Sequence, residues 1–321
     1  MSNLHKSITK NRTERGILTI AHTKNKYVRQ ANNLAMSIRL RDPDIPIAVV
    51  SNLSHDSFDP SFTQVISWDF SDTPGLISKL SLYDMTPFDE TLFIDADCLA
   101  LKSLDPVFEY FKDYEFGVFG INKPQPNWFL EISRVKNEIS SDEYPGFNGG
   151  IYYFKRGKLS KDTFQIAKSL IPKYKELKIA SFGGFPGEEP LISLAMAKLG
   201  LRAVDDHSLD IMYAPAGMRG TLNIDVLKGH CSFEKYGKLV HPHIMHFASD
   251  DNCYEYLRED LRLRILFSNS WFIAKIQELI IEFIAINKCI LVRKIPLLLL
   301  FIKSKIVKIA KIFLFSFNKI F

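Results

Sequence analysis

Apolar residues along the first 250 positions follow two rhythms. Gly16 to Ala21 (GILTIA) is a short run rich in branched side chains, stopped by the polar His22-Thr23-Lys24-Asn25, which predicts a buried strand feeding a loop. From Tyr27 to Arg41 the apolar positions Val28, Ala31, Leu34, Ala35 and Ile38 recur every three or four residues, the spacing of one helix face. Asp42-Pro43 and Ile45-Pro46 end that helix, and Ile47 to Val50 forms a second apolar strand. Strand, helix and strand at this spacing make a βαβ unit with parallel pairing.

The alternation continues. Short strands are predicted at Gln64 to Ser67, Glu90 to Ile94, Phe116 to Gly120 and Gly150 to Phe154. Helical spacing covers Leu76 to Met85, Leu159 to Ile171 and Pro190 to Leu199. The expected fold class is α/β with a mostly parallel central sheet, a domain over 16–254, and a helical basic tail over 255–321. No internal repeat interrupts the order.

Charge separates the two regions. The chain of 321 residues has a net charge of +5, yet from Asn269 onward nine Lys/Arg face two Asp/Glu, so the remainder is mildly acidic. That balance argues against nucleic acid as a partner. The tail mixes Lys with Ile, Leu and Phe, but Lys303, Lys305, Lys308 and Lys311 interrupt it too often for a membrane-spanning helix. It predicts a pair of amphipathic helices, split near Pro296, lying in a bilayer interface. The polar N-terminus lacks the apolar run expected of a secretory leader, and Cys98, Cys231, Cys253 and Cys289 lack paired spacing. The expected location is cytoplasmic, peripheral on the inner face of a membrane.

The chemical signal is Phe93-Ile94-Asp95-Ala96-Asp97-Cys98, two carboxylates directly after an apolar strand. Ligands bind at the carboxyl ends of strands in open α/β sheets. Two adjacent carboxylates repel unless a cation lies between them, and hard divalent ions take carboxylates together with substrate phosphates. Asp95 and Asp97 are therefore candidate ligands for Mn²⁺ or Mg²⁺. Val240 to Phe247 adds His241, His243 and His246, of which one is expected as a third ligand; a zinc site of all three is the rival. Asn148-Gly149-Gly150 combines a side chain suited to sugar hydroxyls with backbone that a ligand can approach closely. Gly183 to Pro190 is a glycine-rich loop ending in Glu188 and Glu189 at a helix start.

This ordered set resembles the family 8 glycosyltransferases, which include glycogenin and bacterial lipooligosaccharide galactosyltransferases. The resemblance covers about Gly16 to Asp250. It implies a GT-A fold, a nucleotide-sugar donor such as a UDP-sugar, and Mn²⁺. By position, Asp95, Ala96 and Asp97 match the metal-binding triplet and His246 the late metal-binding histidine. Asn148, Gly149 and Gly150 match the sugar-contacting segment, Thr23 and Tyr27 lie where the base is held, and Lys79 lies where a basic residue meets the donor. Glu188 or Glu189 matches the active-site residue at the helix start. The chain departs from the family after His246, where Phe-Ala-Ser-Asp-Asp replaces the segment carrying a lysine for the diphosphate. Lys79 or Arg219 would have to substitute. The function implied is transfer of a sugar, with retention of configuration, to a glycan or lipid-linked acceptor. A nucleotidyltransferase is the alternative, although the loop after the first strand lacks the glycines such enzymes carry. A non-catalytic membrane scaffold fits the acidic strand end least well.

Overall fold

The computed structural model describes residues 13–296, apart from 124–128, 130–134, 136–138, 140, 142, 182–183, 206–208, 249, 251–252 and 268–273. The chain divides into two compact units, Met1–Ala248 and Ser249–Phe321.

The first unit opens with β1 (Thr13–Ile20), α1 (Asn25–Arg39), β2 (Ile47–Ser51) and β3 (Gln64–Ser67), followed by α2 (Leu82–Met85), β4 (Phe88–Ile94), β5 (Cys98–Ala100) and α3 (Asp105–Phe111). Next come β6 (Phe116–Gly117), β7 (Gly120–Lys123), β8 (Tyr144–Phe147), β9 (Ile151–Lys155), α4 (Lys158–Ser169) and α5 (Glu188–Lys198). The unit closes with β10 (Met212–Tyr213), β11 (Arg219–Asp225), β12 (His230–Lys235), β13 (Lys238–Val240) and β14 (Ile244–His246).

The central sheet has the order β3-β2-β1-β4-β9-β6. β3, β2, β1 and β4 run parallel, and β9 is antiparallel to both β4 and β6. Both faces are covered, so successive residues of one strand enter different cores. Leu18, Val50, Phe93 and Phe154 pack on one face, while Ile17, Val49, Leu92 and Tyr153 pack on the other. The order reverses at β1, so the open ends of β1 and β4 meet at a switch point where α/β folds bind ligands.

Two predicted elements change form. The helix expected over Leu76 to Met85 is a 3₁₀ helix, Gly75–Ser81, followed by the single turn of α2. Pro74 and a left-handed Gly75, with φ of +66°, start it tightly, and the segment is too short to settle into longer α-helix. The strand expected over Phe116 to Gly120 is divided between β6 and β7, because Phe119 bridges to Val204 instead of continuing in the central sheet.

A second sheet, β10-β14-β5, joins the central one through the acidic turn. The turn leaves β4 at Ile94 and enters β5 at Cys98, and β5 pairs antiparallel with β14, Cys98 opposite His246. A meander, β11-β12-β13, forms a third sheet.

In the second unit α6 (Tyr254–Phe267) and α7 (Ala274–Cys289) pack together, followed by a π-helical turn, Ile290–Lys294. Ile281 and Ala285 are buried, whereas Ile280, Phe283 and Ile286 on the other side of α7 are exposed, Phe283 by 70%. The amphipathic pair expected beyond Pro296 lies outside the described residues. Among the described residues no helix is long and apolar enough to cross a membrane.

Candidate functional site

Three pieces of backbone meet at the open end of β4. Strand β4 delivers Asp95 to Asp97, strand β14 delivers His246, and the turn Asn148-Gly149-Gly150 leads into β9. Backbone bonds lock them: the Asp95 N–H donates to the Gly150 carbonyl at 2.9 Å and the Phe247 N–H donates to the Asp97 carbonyl at 3.1 Å.

His246 is buried, with Nε2 3.2 Å from Asp97 Oδ1 and 3.8 Å from Asp95 Oδ2. Its Nδ1 lies 2.9 Å from Asn148 Oδ1. The same Asn148 oxygen accepts the Gly150 N–H at 2.9 Å, which fixes the amide orientation, since a backbone N–H can meet only an acceptor. An acceptor facing Nδ1 requires Nδ1 to carry a proton. In the neutral ring, Nε2 then holds the lone pair and points at the two aspartates. Burial favours the neutral ring, but the hydrogen bond to Asp97 and the charges of Asp97 and Asp95 outweigh it, so the pKa of His246 is raised.

Lys79, on the 3₁₀ helix, is the buried counter-charge. Its Nζ lies 2.8 Å from Asp95 Oδ2 and 2.8 Å from Glu188 Oε1, and it donates to the Gly149 carbonyl at 3.0 Å. Burial alone would release its proton, but Asp95 and Glu188 hold the ammonium well above the usual lysine range. Asp95, partly buried, is moved up by desolvation despite Lys79. Glu189 accepts the Gly149 N–H at 2.5 Å. Burial, reinforced by the neighbouring Glu188, pushes its carboxyl up to about 7. Two carboxylates thus meet one ammonium, with Asp97 beside Asp95 and Glu189 beside Glu188, an excess of negative charge that attracts a cation.

The glycines also make room for protein side chains. A side chain at Gly150 would lie 2.6 Å from His246 Nδ1, and one at Gly149 would lie 2.5 Å from Glu188 Oε1. They let protein side chains converge beneath the site, whatever binds above it.

Most predicted residues come together here: Lys79, Asp95, Asp97, Asn148, Gly149, Gly150, Glu188, Glu189 and His246, with Ala96 largely buried between the aspartates. Thr23 lies in the turn between β1 and α1, and Tyr27 in the first turn of α1. Thr23 is left-handed, with φ of +74°, its N–H donates to Asn52 Oδ1 at 3.0 Å, and Tyr27 is exposed. Beside them His22 stacks on Phe70 at 4.3 Å, a contact no local pattern announced. His243 does not join: its Nδ1 meets the Ser103 carbonyl at 2.8 Å, and His241 is exposed. The three-histidine site is therefore set aside. Arg219, at the start of β11, is exposed. The Lys79–Glu188 pair was also missed, because nothing in either local pattern links residues so distant in sequence.

Among the described residues, one group of three potential metal ligands has its donor atoms within 4.8 Å of one another: Asp97, Cys98 and His246. Cys98 is fully buried and desolvation pushes its thiol up, and soft sulfur suits a hard ion less well than carboxylate oxygen. Asp97 and His246 Nε2, with Asp95 beside them, fit a divalent cation that accepts oxygen and imidazole.

No protein-family profile matches the chain, and no curated protein matches it. Solved structures do. An active-site mutant of LgtC matches with a TM-score of 0.51 at 16% identity, covering 73% of this chain and 87% of that one. The apo structure of WbbM, described as a bifunctional glycosyltransferase, matches with a TM-score of 0.50 at 12% identity, covering 85% of this chain and 52% of that one. The galactosyltransferase LgtC in complex with donor and acceptor sugar analogues overlaps the same 73% of this chain at a TM-score of 0.49. The fold is the GT-A fold of these glycosyltransferases.

Proposed function

We propose that this chain is a metal-dependent glycosyltransferase that moves a sugar from a nucleotide-sugar donor, such as a UDP-sugar, to a glycan or lipid-linked acceptor with retention of configuration. The observation that carries the reading is the fixed histidine: Asn148 takes one ring nitrogen and directs the other at Asp97 and Asp95. Mn²⁺ or Mg²⁺ would be held by Asp95, Asp97 and His246, and when bound it supplies charge neutralisation to the departing diphosphate. Lys79 bridges Asp95 and Glu188 and holds them in place. Thr23 and Tyr27 receive the base end of the donor, and Asn148 has its Nδ2 donors left for a sugar hydroxyl. Glu188 and Glu189 line the sugar side. Transfer breaks the bond from the anomeric carbon to the diphosphate and forms one to the acceptor oxygen; the acceptor proton passes to the leaving phosphate oxygen, so no separate base is needed.

The tail belongs to the same reading. Nine basic residues against two acidic ones from Asn269 onward, together with the exposed apolar side of α7, support docking on the anionic inner face of a membrane.

A panel of nucleotide sugars, with and without Mn²⁺, tests the donor. A true donor raises the unfolding free energy by mass action, about 2.7 kcal/mol at a hundredfold excess over Kd, and does so only with metal. Stabilisation that ignores Mn²⁺, or no stabilisation by any member, contradicts the proposal.

A further inference from the structure

Strand β12 alternates as a half-buried strand should: Cys231 and Phe233 face inward, while His230 and Glu234 face out. The next inward position is occupied by Lys235, which is only 7% exposed. Among the described residues no carboxylate pairs with it. Its Nζ donates to the Ala214 carbonyl at 2.7 Å and the Ala216 carbonyl at 3.0 Å, and lies 5.6 Å and 5.4 Å from the ring centres of Tyr213 and Tyr236. Burying an ammonium against two carbonyls and two rings costs free energy, and burial does pull its pKa below the usual lysine range. A leucine would fill the position at less cost. The lysine is explained by what it grips.

It grips the connection Ala214 to Met218, a turn closed by the Met218 N–H donating to the Pro215 carbonyl at 2.9 Å, with Gly217 left-handed at φ of +76°. The turn leaves β10, which runs parallel to β14 with Met212 beside Ile244 and Tyr213 beside Met245. β10 ends at Tyr213 and β14 at His246, so the turn begins at the same end of this sheet as His246. Since β5 pairs with the other edge of β14, Cys98 opposite His246, the turn starts on the side of β14 away from the acidic turn.

We propose that Lys235 is a positioning residue that clamps the 214–218 turn as one wall of the donor site. The second half of this statement rests on the glycosyltransferase reading; the first does not. Three variants and two readouts separate them. In Lys235→Met, which keeps the length and loses the donors, amide hydrogen exchange at Gly217 and Met218 should accelerate about tenfold while the central sheet is unchanged. The KM for the nucleotide sugar should rise about tenfold with kcat nearly constant, the mark of lost binding in ground and transition states alike. Lys235→Arg, which keeps charge and donors, should restore both. Gly217→Ala meets open space and strains only the backbone, so it should loosen the turn and raise KM in the same direction even where the methionine variant fails to fold. Unchanged exchange in the turn overturns the clamp. Faster exchange with unchanged KM overturns its role in the site. A wild-type protein that turns over no nucleotide sugar defeats the glycosyltransferase reading, and exchange alone then decides the clamp.

Discussion

Glu189 occupies the first turn of α5, where the helix dipole favours a carboxylate, yet burial and Glu188 hold its carboxyl near 7. The sign of the consequence is fixed. The folded state keeps a proton that the unfolded chain sheds near 4.5, so this group contributes most stability at acid pH, and that contribution is lost as pH rises towards 7. Glu189→Gln keeps an oxygen for the Gly149 N–H and removes the titration. Urea unfolding at about pH 5 and about pH 8 should show wild type losing roughly 2–3 kcal/mol more than the variant between the two. Equal losses would mean that Glu189 is no more buried in water-free surroundings than an ordinary surface glutamate. Lys79 works in the other sense: it remains charged and holds Asp95 and Glu188 together from a third element. Replacing it would leave buried carboxylates uncompensated.

At the scale of elements, the turn Asn148-Gly149-Gly150 connects β8 to β9 and sets the histidine. Asn148→Ala removes the acceptor for His246 Nδ1 and for the Gly150 N–H. Loss of such an outer partner typically weakens metal affinity 10–100-fold, and Mn²⁺ titration should show that loss with the fold intact. Unchanged affinity would separate the histidine from the metal. The sequence exposed these elements unevenly. β1, α1, β2 and β4 were legible because a strand buried on both faces is a continuous apolar run and a helix of fifteen residues repeats its face several times. β5, β10 and β14 were not, since strands of two or three residues carry no period. The meander β11-β12-β13 was hidden by its glycines and by a lysine on its inner face. In the site, Asp95 and Asp97 announce themselves by adjacency. His246 could be picked from three histidines only through the family resemblance, and the convergence of Lys79 with Glu188 is purely tertiary.

For the whole molecule, the two units carry different chemistry. The first holds the carboxylates, the histidine and the GT-A sheet; the second holds an apolar helix face and the start of the basic tail. Deleting 269–321 should leave a folded first unit that still binds a nucleotide sugar but no longer sediments with anionic vesicles. Each basic residue near such a surface contributes about 1 kcal/mol, and salt should weaken the attachment of the intact chain. Equal sedimentation of both proteins would remove the membrane role from the tail. The central claim concerns the reaction, and product identity tests it most directly. With Mn²⁺ and the best nucleotide sugar of the panel, the account predicts free sugar and nucleoside diphosphate from wild type and none from Asp97→Ala, with the variant folded. Release of pyrophosphate, which a nucleotidyltransferase would give, or full sugar release by Asp97→Ala, would contradict it.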